Sequence, residues 1–222
     1  MSDVLEFVAA DIPREVWLQA QDLLTASCPA AVRRIGGKPV DNPTYVHELG
    51  TQRFWTRANA IEALGRLCAG EGVELVYLMA GSMPLPHLRI GRFVVGHTRL
   101  SPWRGSVEDK DYKLELAKHN PPDGRQGSLF SASCQHVHDP MYGLLCIEYP
   151  EATEDPSVPA KIGFGVPTST LDDWVMLTTL DELLTFPAHD DILSDKAYPV
   201  LRRAQRDSKN NTGAGHKKPQ RE

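Results

Sequence analysis

Six segments rich in β-forming residues follow one another between residues 73 and 180, and they set the strongest limit on what this chain can fold into. Aliphatic, aromatic and β-branched residues are frequent in each segment, and Gly, Pro or Asp bounds it, as is typical of β-strands. Strands grouped in this way, rather than alternating regularly with helices, predict a largely antiparallel sheet. The segments are residues 73–79, 92–100, 128–138, 142–149, 160–166 and 173–180.

Three further segments have the hydrophobic periodicity of amphipathic helices. Apolar residues recur at intervals of three and four in residues 11–27 and in residues 56–72, where Leu64 and Leu67 belong to the apolar stripe. Residues 190–206 show a similar pattern, but a proline near the middle makes two short helices an alternative to one. The sequence therefore predicts an α+β fold: a largely antiparallel sheet of five or more strands with two or three helices packed on one face.

Two long connections interrupt this pattern. Residues 81–91 and 101–127 are long connections that contain several prolines and glycines. Connections of this length in a compact domain tend to be functional or mobile, and we expect the same here.

Charge divides the chain into two parts. The net charge of the whole chain is −5, but residues 201–222 hold seven Lys or Arg and two Asp or Glu, a net charge of +5, which leaves −10 for residues 1–200. An acidic body repels a phosphate backbone unless its basic residues cluster on one face, so any sequence-independent contact with nucleic acid is expected to be weak and to fall mainly to the tail.

The tail also lacks the apolar residues that folding requires. Residues 208–222 contain no aromatic residue and no aliphatic residue larger than alanine, which predicts disorder. We therefore expect one globular α+β domain over residues 1–207 and a disordered basic tail over residues 208–222. The tail is either a solvated end that aids solubility or a short electrostatic arm for nucleic acid or an acidic partner.

Cysteine spacing and hydropathy predict the compartment. The four cysteines are widely spaced without a CxxC pair, and the N-terminal residues lack the basic region and apolar run of a signal peptide. The best apolar stretch, VELVYLMAG, has about half of the roughly 18 to 20 residues that a membrane-spanning helix needs. We expect a cytoplasmic protein with reduced thiols and no membrane contact.

The segment SASCQHVHDP combines a thiol with two imidazoles. If it is a strand, Cys134, His136 and His138 share one face, because side chains alternate along a strand. A three-residue turn to the next strand would place Cys146 opposite Cys134, with Glu148 further along the same face; a shorter or longer turn would present other residues.

That arrangement leaves two interpretations open. Thiolates and imidazoles in this geometry bind a divalent transition metal, which makes Cys134, His136, His138 and Cys146 candidate ligands. Alternatively, the histidines are structural or surface residues, because HxH alone is a weak signal. As catalytic candidates, His136 and His138 would be metal ligands or acid and base groups, and Glu148 a further ligand or base.

A second polar group lies where a predicted strand runs into the second long connection. The segment GHTRLSPWRG carries two arginines, an imidazole and an indole, a combination suited to a phosphate or a stacked base. Alternatively, the tryptophan covers the edge of the core and the arginines pair with the acidic residues at 108–111. The candidate binding residues are His97, Arg99, Trp103 and Arg104.

Two hypotheses about function follow. No GxxxxGK[ST], strand-bounded GxGxxG or GxSxG motif occurs, so nucleotide and α/β-hydrolase sites have little support. The first hypothesis is a non-catalytic cytoplasmic binding or accessory protein that presents an acidic surface to a protein partner, with the basic tail as an auxiliary arm. The alternative is a metal-dependent hydrolase centred on the HxH strand, with phosphodiesters as a candidate substrate and Arg99 and Arg104 neutralising developing charge.

Overall fold

The computed structural model describes residues 2–36, 38–108, 110–122, 140–151 and 154–186. These residues form five α-helices, a short 3-10 helix and six strands. The α-helices are α1 (Ser2–Asp11), α2 (Arg14–Arg34), α3 (Tyr45–Leu67), α4 (Asp111–Ala117) and α5 (Leu180–Thr185), and the 3-10 helix covers Ala69–Glu71. The strands are β1 (Val73–Ala80), β2 (Met83–Ile90), β3 (Phe93–Leu100), β4 (Met141–Glu148), β5 (Lys161–Pro167) and β6 (Trp174–Thr179).

The six strands form one sheet in the order β1-β2-β3-β4-β5-β6. Every neighbouring pair is antiparallel except β3 and β4, which run parallel from Phe93 opposite Met141 to Leu100 opposite Glu148. The mixed α+β content and the mostly antiparallel sheet that the sequence predicts are confirmed. The parallel pair needs a crossover connection, and the chain between Leu100 and Met141, which includes α4, provides it.

Helices pack against both faces of the sheet, so the predicted arrangement of two or three helices on one face is not confirmed. Apolar residues of α1, α2 and α3 form one core with side chains from one face of the strands, among them Phe93 and Phe164. Residues of α4 join a second core on the opposite face, where Tyr142, Leu144 and Cys146 of β4 are buried. Successive side chains of a strand point to opposite faces, so neighbouring residues of β3 and β4 serve different cores.

Strand β2 corrects the prediction of a long connection over residues 81–91. It pairs with β1 along eight consecutive residue pairs, but with β3 along only three, which end at Leu88 opposite Val95. Pro84 and Pro86 lie in the part of β2 that pairs with β1 alone. Proline has no N–H to donate, so a proline whose nitrogen faced β1 would interrupt the β1–β2 ladder. Because that ladder is intact, the two proline nitrogens face the side of β3, where β2 has no pairing to lose. The prolines therefore suit the point where β2 leaves β3.

Because β2 separates from β3 after three residue pairs, a gap forms in the sheet between these two strands. Residues 83–87 of β2 and residues 96–100 of β3 are not paired with each other, and we call the space between them the split. Helix α3 contacts β1, β2 and β3 on one face, and α4 contacts β4 on the other. The split is thus the place where the two faces of the sheet are open to each other.

Some sequence predictions fall on other parts of the chain. The predicted strand at 128–138, the predicted helix at 190–206 and the predicted tail at 208–222 lie outside the described residues. Within the described residues, no helix is both long enough and apolar enough to span a membrane.

Candidate functional site

A cavity of about 1010 Å³ opens at the split. Its walls come from the first half of α3, the turn between β1 and β2, the end of β3 and the segment that leads into α4. Small-molecule sites typically enclose about 300 to 1000 Å³, so this space is large enough for an organic ligand.

The charge of the cavity wall is opposite to that of the rest of the domain. Five Lys or Arg side chains line the cavity, against two carboxylates among the described lining residues. Residues 1–200 as a whole carry a net charge of −10. The concentration of cations in one concave region is therefore a local feature. The cations are Arg53, Arg57, Arg99, Lys110 and Lys113, and the carboxylates are Glu108 and Asp111.

Arg57 is the most buried guanidinium of this group, with 6% of its surface exposed. Its Nε donates to Nδ1 of His97 at 3.5 Å, and its Nη1 donates to the hydroxyl of Tyr149 at 2.7 Å. No carboxylate of the described residues forms an ion pair with it. A guanidinium has five N–H donors, and partners among the described residues occupy two of those of Arg57.

His97 is held between Arg57 and the ring of Phe54, whose centroid lies 5.5 Å from that of the imidazole. Burial and, to a lesser extent, the charge of Arg57 hold the pKa of His97 well below its ordinary value, so the imidazole is neutral. Because Nδ1 accepts from Arg57, the single proton lies on Nε2. Nε2 is buried and has no hydrogen-bond partner among the described residues. The Nε2–H of His97 is therefore enclosed by the protein and does not face the open space of the cavity.

Arg53 lies one helical turn before Arg57 and completes the α3 side of the cavity. Its guanidinium stacks on the ring of Tyr149, with 3.9 Å from Cζ to the ring centroid, and its Nη2 donates to the carbonyl oxygen of Pro156 at 3.0 Å. Burial lowers the pKa of Arg53, although a guanidinium stays charged at any physiological pH. Burial raises the pKa of Tyr149, against the influence of Arg57, so the phenol stays neutral.

On the α4 side, the corresponding cation is Lys113, which is 4% exposed. Its Nζ donates to Oγ1 of Thr98 at 3.4 Å, and no described carboxylate lies within ion-pair distance of it. Burial lowers the pKa of Lys113, and the negative charge of Glu108 acts in the opposite direction. The ammonium group is therefore easier to deprotonate than that of a surface lysine.

Behind the cavity wall, Gly96 of β3 makes room for two buried polar groups. A Cβ at this position would lie 2.8 Å from the hydroxyl of Tyr142 and 3.0 Å from Nε2 of His87. The Tyr142 hydroxyl is buried without a partner among the described residues, and burial lowers the pKa of His87. Any larger residue at position 96 would push these groups away from the end of β3.

The structure separates the residues that the sequence grouped as a candidate phosphate or base site. His97 and Arg99 line the cavity. Trp103 is half-buried against β5, where its ring would lie 2.6 Å from a Cβ at Gly163, and Nζ of Lys161 is 5.8 Å from the ring centroid. Arg104 is exposed and is not among the lining residues described here.

Most of the candidate metal site lies outside the described residues, namely Cys134, His136 and His138. Cys146 is fully buried, with its Sγ 3.4 Å from the carbonyl oxygen of Leu144, and burial raises the pKa of its thiol. The carboxylate of Glu148 is 3.5 Å from Nζ of Lys161. Among the residues that can be described, no three His, Cys, Asp or Glu side chains are grouped so as to hold a metal ion. The metal hypothesis stays a prediction.

No protein family, curated protein or solved structure shows a significant match to this chain. The functional argument therefore rests on the geometry of the cavity and on the chemistry of its side chains.

Sequence reasoning missed the most buried cations of the cavity. Arg53 and Arg57 precede Ile61 at intervals of four residues, so the helical period places both on the stripe that is buried further along α3. Arginine is rare on a buried apolar stripe unless it is paired, so the position of these arginines could have marked them as functional candidates. Lys113 carried no comparable signal, because the seven residues of α4 are too few to show a period.

Proposed function

We propose that this protein is a non-catalytic binding protein whose cavity takes a small organic anion that carries a carboxylate or a phosphate group. The observation that carries the proposal is the buried guanidinium of Arg57, which lines the cavity without a carboxylate partner among the described residues. Burying an unpaired cation is unfavourable, and an anion in the cavity would supply the partner. The planar fork of arginine suits both carboxylate and phosphate oxygens.

Two further features support the choice of an anion. Arg53 adds a second guanidinium on the same side of the cavity as Arg57. The excess of cations in a concave site surrounded by an acidic domain would also focus the electrostatic potential and draw a small anion to that site.

This proposal keeps the binding-protein class that the sequence favours and places the ligand in the cavity. An acidic surface that meets a protein partner, with the basic tail as an arm, stays a prediction of the sequence. The same holds for metal-dependent hydrolysis, whose histidines His136 and His138 lie outside the described residues.

Isothermal titration calorimetry of the full chain tests the proposal. The titrants are succinate and inorganic phosphate, with the uncharged succinamide as the matched neutral compound. The key variant is Arg57→Met, which keeps an unbranched apolar stem and removes the charge. The control is Arg89→Met, because Arg89 is exposed and pairs with Glu74 at 3.2 Å outside the cavity.

At least one anion is expected to bind the wild type and Arg89→Met with equal affinity, while succinamide does not bind. The affinity of Arg57→Met for that anion is expected to fall by roughly 10- to 100-fold, the effect of losing a charged hydrogen bond. A thermal melt confirms that the variant is folded. Absence of saturable anion binding to the wild type, or unchanged affinity in folded Arg57→Met, contradicts the proposal.

A further inference from the structure

Arg57 and Lys113 reach the cavity from opposite faces of the sheet through two successive residues of β3. His97 accepts a hydrogen bond from Arg57 of α3, and Thr98 accepts one from Lys113 of α4. Successive residues of a strand point to opposite faces, so the two cations are fastened to the two sides of the same strand.

The split exposes the edge of β3 between these two cations. Residues 96–100 of β3 pair with β4 on one side, but β2 pairs with β3 only as far as Val95. A ligand that lies across this edge can therefore touch the α3 side and the α4 side at once. The cavity has lining residues from both sides, which is consistent with one ligand bridging them.

The two cations differ in chemistry. A guanidinium stays protonated and binds a carboxylate through its fork, whereas a lysine amine that loses its proton is a nucleophile. Lys113 is buried, has one long hydrogen bond to a hydroxyl and has no ion-pair partner among the described residues. Its lowered pKa increases the fraction of free amine near neutral pH.

We infer that the ligand is an oxo acid, whose carboxylate binds at Arg57 and whose carbonyl carbon forms a reversible imine with Nζ of Lys113. This inference rests on the proposed function and names the ligand class for the same cavity. The amine lone pair adds to the carbonyl carbon, and the carbonyl oxygen leaves as one water molecule that takes both amine hydrogens. A C=N bond replaces the C=O bond, and no oxidant or reductant is required.

Reductive trapping tests the inference on the full chain. The protein is incubated with 2-oxoglutarate near neutral pH, borohydride is added to reduce any imine to a stable secondary amine, and the adduct is located by intact-mass and peptide-mass measurements. The variants are Lys113→Met and Lys113→Arg; the second keeps the positive charge without a nucleophilic amine. The control is Lys118→Met, because Lys118 is exposed and forms an ion pair with Glu115 instead of lining the cavity.

One adduct per chain, located at Lys113, is expected in the wild type and in Lys118→Met, and none in either Lys113 variant. The matched ligand 2-hydroxyglutarate has no carbonyl, so it is expected to bind by calorimetry and to leave no adduct. An adduct that persists in the Lys113 variants, or that is spread over surface lysines, overturns the inference.

Binding of both acids without any adduct overturns the imine and leaves the anion-binding proposal intact. Failure of the wild type to bind either acid or any other anion overturns both. The two failures are therefore distinguishable from the same set of measurements.

Discussion

Burial of His97 next to Arg57 fixes the protonation state of the imidazole in the folded protein. The pKa of His97 lies well below that of an exposed histidine, chiefly because of desolvation. Below about pH 6.5, an unfolded chain therefore takes up a proton that the folded chain does not. The free energy of unfolding must then decrease as the pH falls, and His87, whose pKa is also lowered by burial, contributes in the same direction.

We expect the free energy of unfolding to decrease by up to about 2 kcal/mol for His97 alone between about pH 7.5 and about pH 5. Urea unfolding at a series of pH values measures this dependence. The variant His97→Gln removes the titrating group, so its stability is expected to depend less on pH than that of the wild type, whatever its stability at neutral pH. Identical pH dependence in the two proteins would show that His97 is not buried in its neutral form.

Gly163 of β5 shows how closely the backbone of this sheet is packed. A Cβ at this position would lie 2.1 Å from the carbonyl oxygen of Thr178 and 2.6 Å from the ring of Trp103. The first contact is with backbone of the neighbouring strand, which cannot move away without disturbing the β5–β6 ladder.

Gly163→Ala is therefore expected to cost about 1 to 3 kcal/mol or more, as overpacking a close-packed site does. The matched control is Gly50→Ala in α3, where a Cβ meets no atom within 4 Å. Alanine suits a helix better than glycine, so this control is expected to gain about 0.5 to 1 kcal/mol. Chemical denaturation measures the free energy of unfolding of the wild type, Gly163→Ala and Gly50→Ala. Equal stabilities would contradict the close packing at Gly163.

At the scale of elements, α3 connects the core to the cavity. Ile61 and Leu64 pack into the core below the sheet, and Tyr45 and Leu49 pack against α2 in a separate apolar cluster. Arg53 and Arg57 lie between these two groups, at the cavity wall. Apolar contacts on both sides of the two arginines thus hold the helix in place and position the guanidinium groups.

Two leucines of α3 allow the contribution of core packing to stability to be compared with that of helix propensity alone. Leu64 is 1% exposed and Leu67 is 63% exposed. Leu64→Ala is expected to destabilise the protein by about 2 to 5 kcal/mol, whereas Leu67→Ala is expected to change stability by less than about 0.5 kcal/mol. Denaturant unfolding measures both, and a loss below about 1 kcal/mol for Leu64→Ala would mean that α3 is not packed as described.

The periodicity of the sequence predicts much of α2 and α3, and the β-forming segments predict five of the six strands. It does not identify Leu67 as exposed, since the buried stripe continues from Leu64 to Cys68 and Leu67 lies beside it. Strand β2 was missed because Pro84 and Pro86 argue against a strand, and only the absence of β3 along that stretch makes them acceptable. The parallel pairing of β3 with β4 is a long-range feature that no local pattern encodes.

The candidate site was predictable only in part, for a similar reason. His97 and Arg99 were recognisable as a polar group at the end of a strand, and both line the cavity. Their partners Arg57 and Lys113 come from helices on different faces, so sequence proximity gives no indication that they meet.

At the scale of the whole molecule, the separation of charge along the chain predicts how strongly, and through which segment, it binds nucleic acid. Residues 1–200 carry −10 and residues 201–222 carry +5. The two buried cations of the cavity, Arg57 and Lys113, suit a small anion, whereas a nucleic-acid backbone needs an extended basic surface.

We therefore expect any affinity for nucleic acid to be weak, to fall steeply with salt and to be lost when the chain is truncated at about residue 207. Fluorescence anisotropy with a labelled DNA oligonucleotide at low and moderate salt measures this. Binding of succinate or phosphate to the cavity is expected to be unchanged by the truncation. Equal DNA binding by the truncated protein would place the contact on the domain instead of the tail.

The crossover between β3 and β4 also determines when the cavity comes into existence during folding. The hairpin of β1 and β2 closes over a turn of two residues, Gly81 and Ser82, whereas β3 and β4 can pair only after the 40 residues from 101 to 140 have closed a loop. Contacts that are distant in sequence form late, because the entropy of loop closure must be overcome before they contribute. Tyr149, which accepts from Arg57, directly follows β4, so the α3 side of the cavity is completed only when this loop has closed, whereas Lys113 lies only 15 residues from Thr98. A ligand that bridges the two sides is therefore held only by a chain in which β4 has paired with β3.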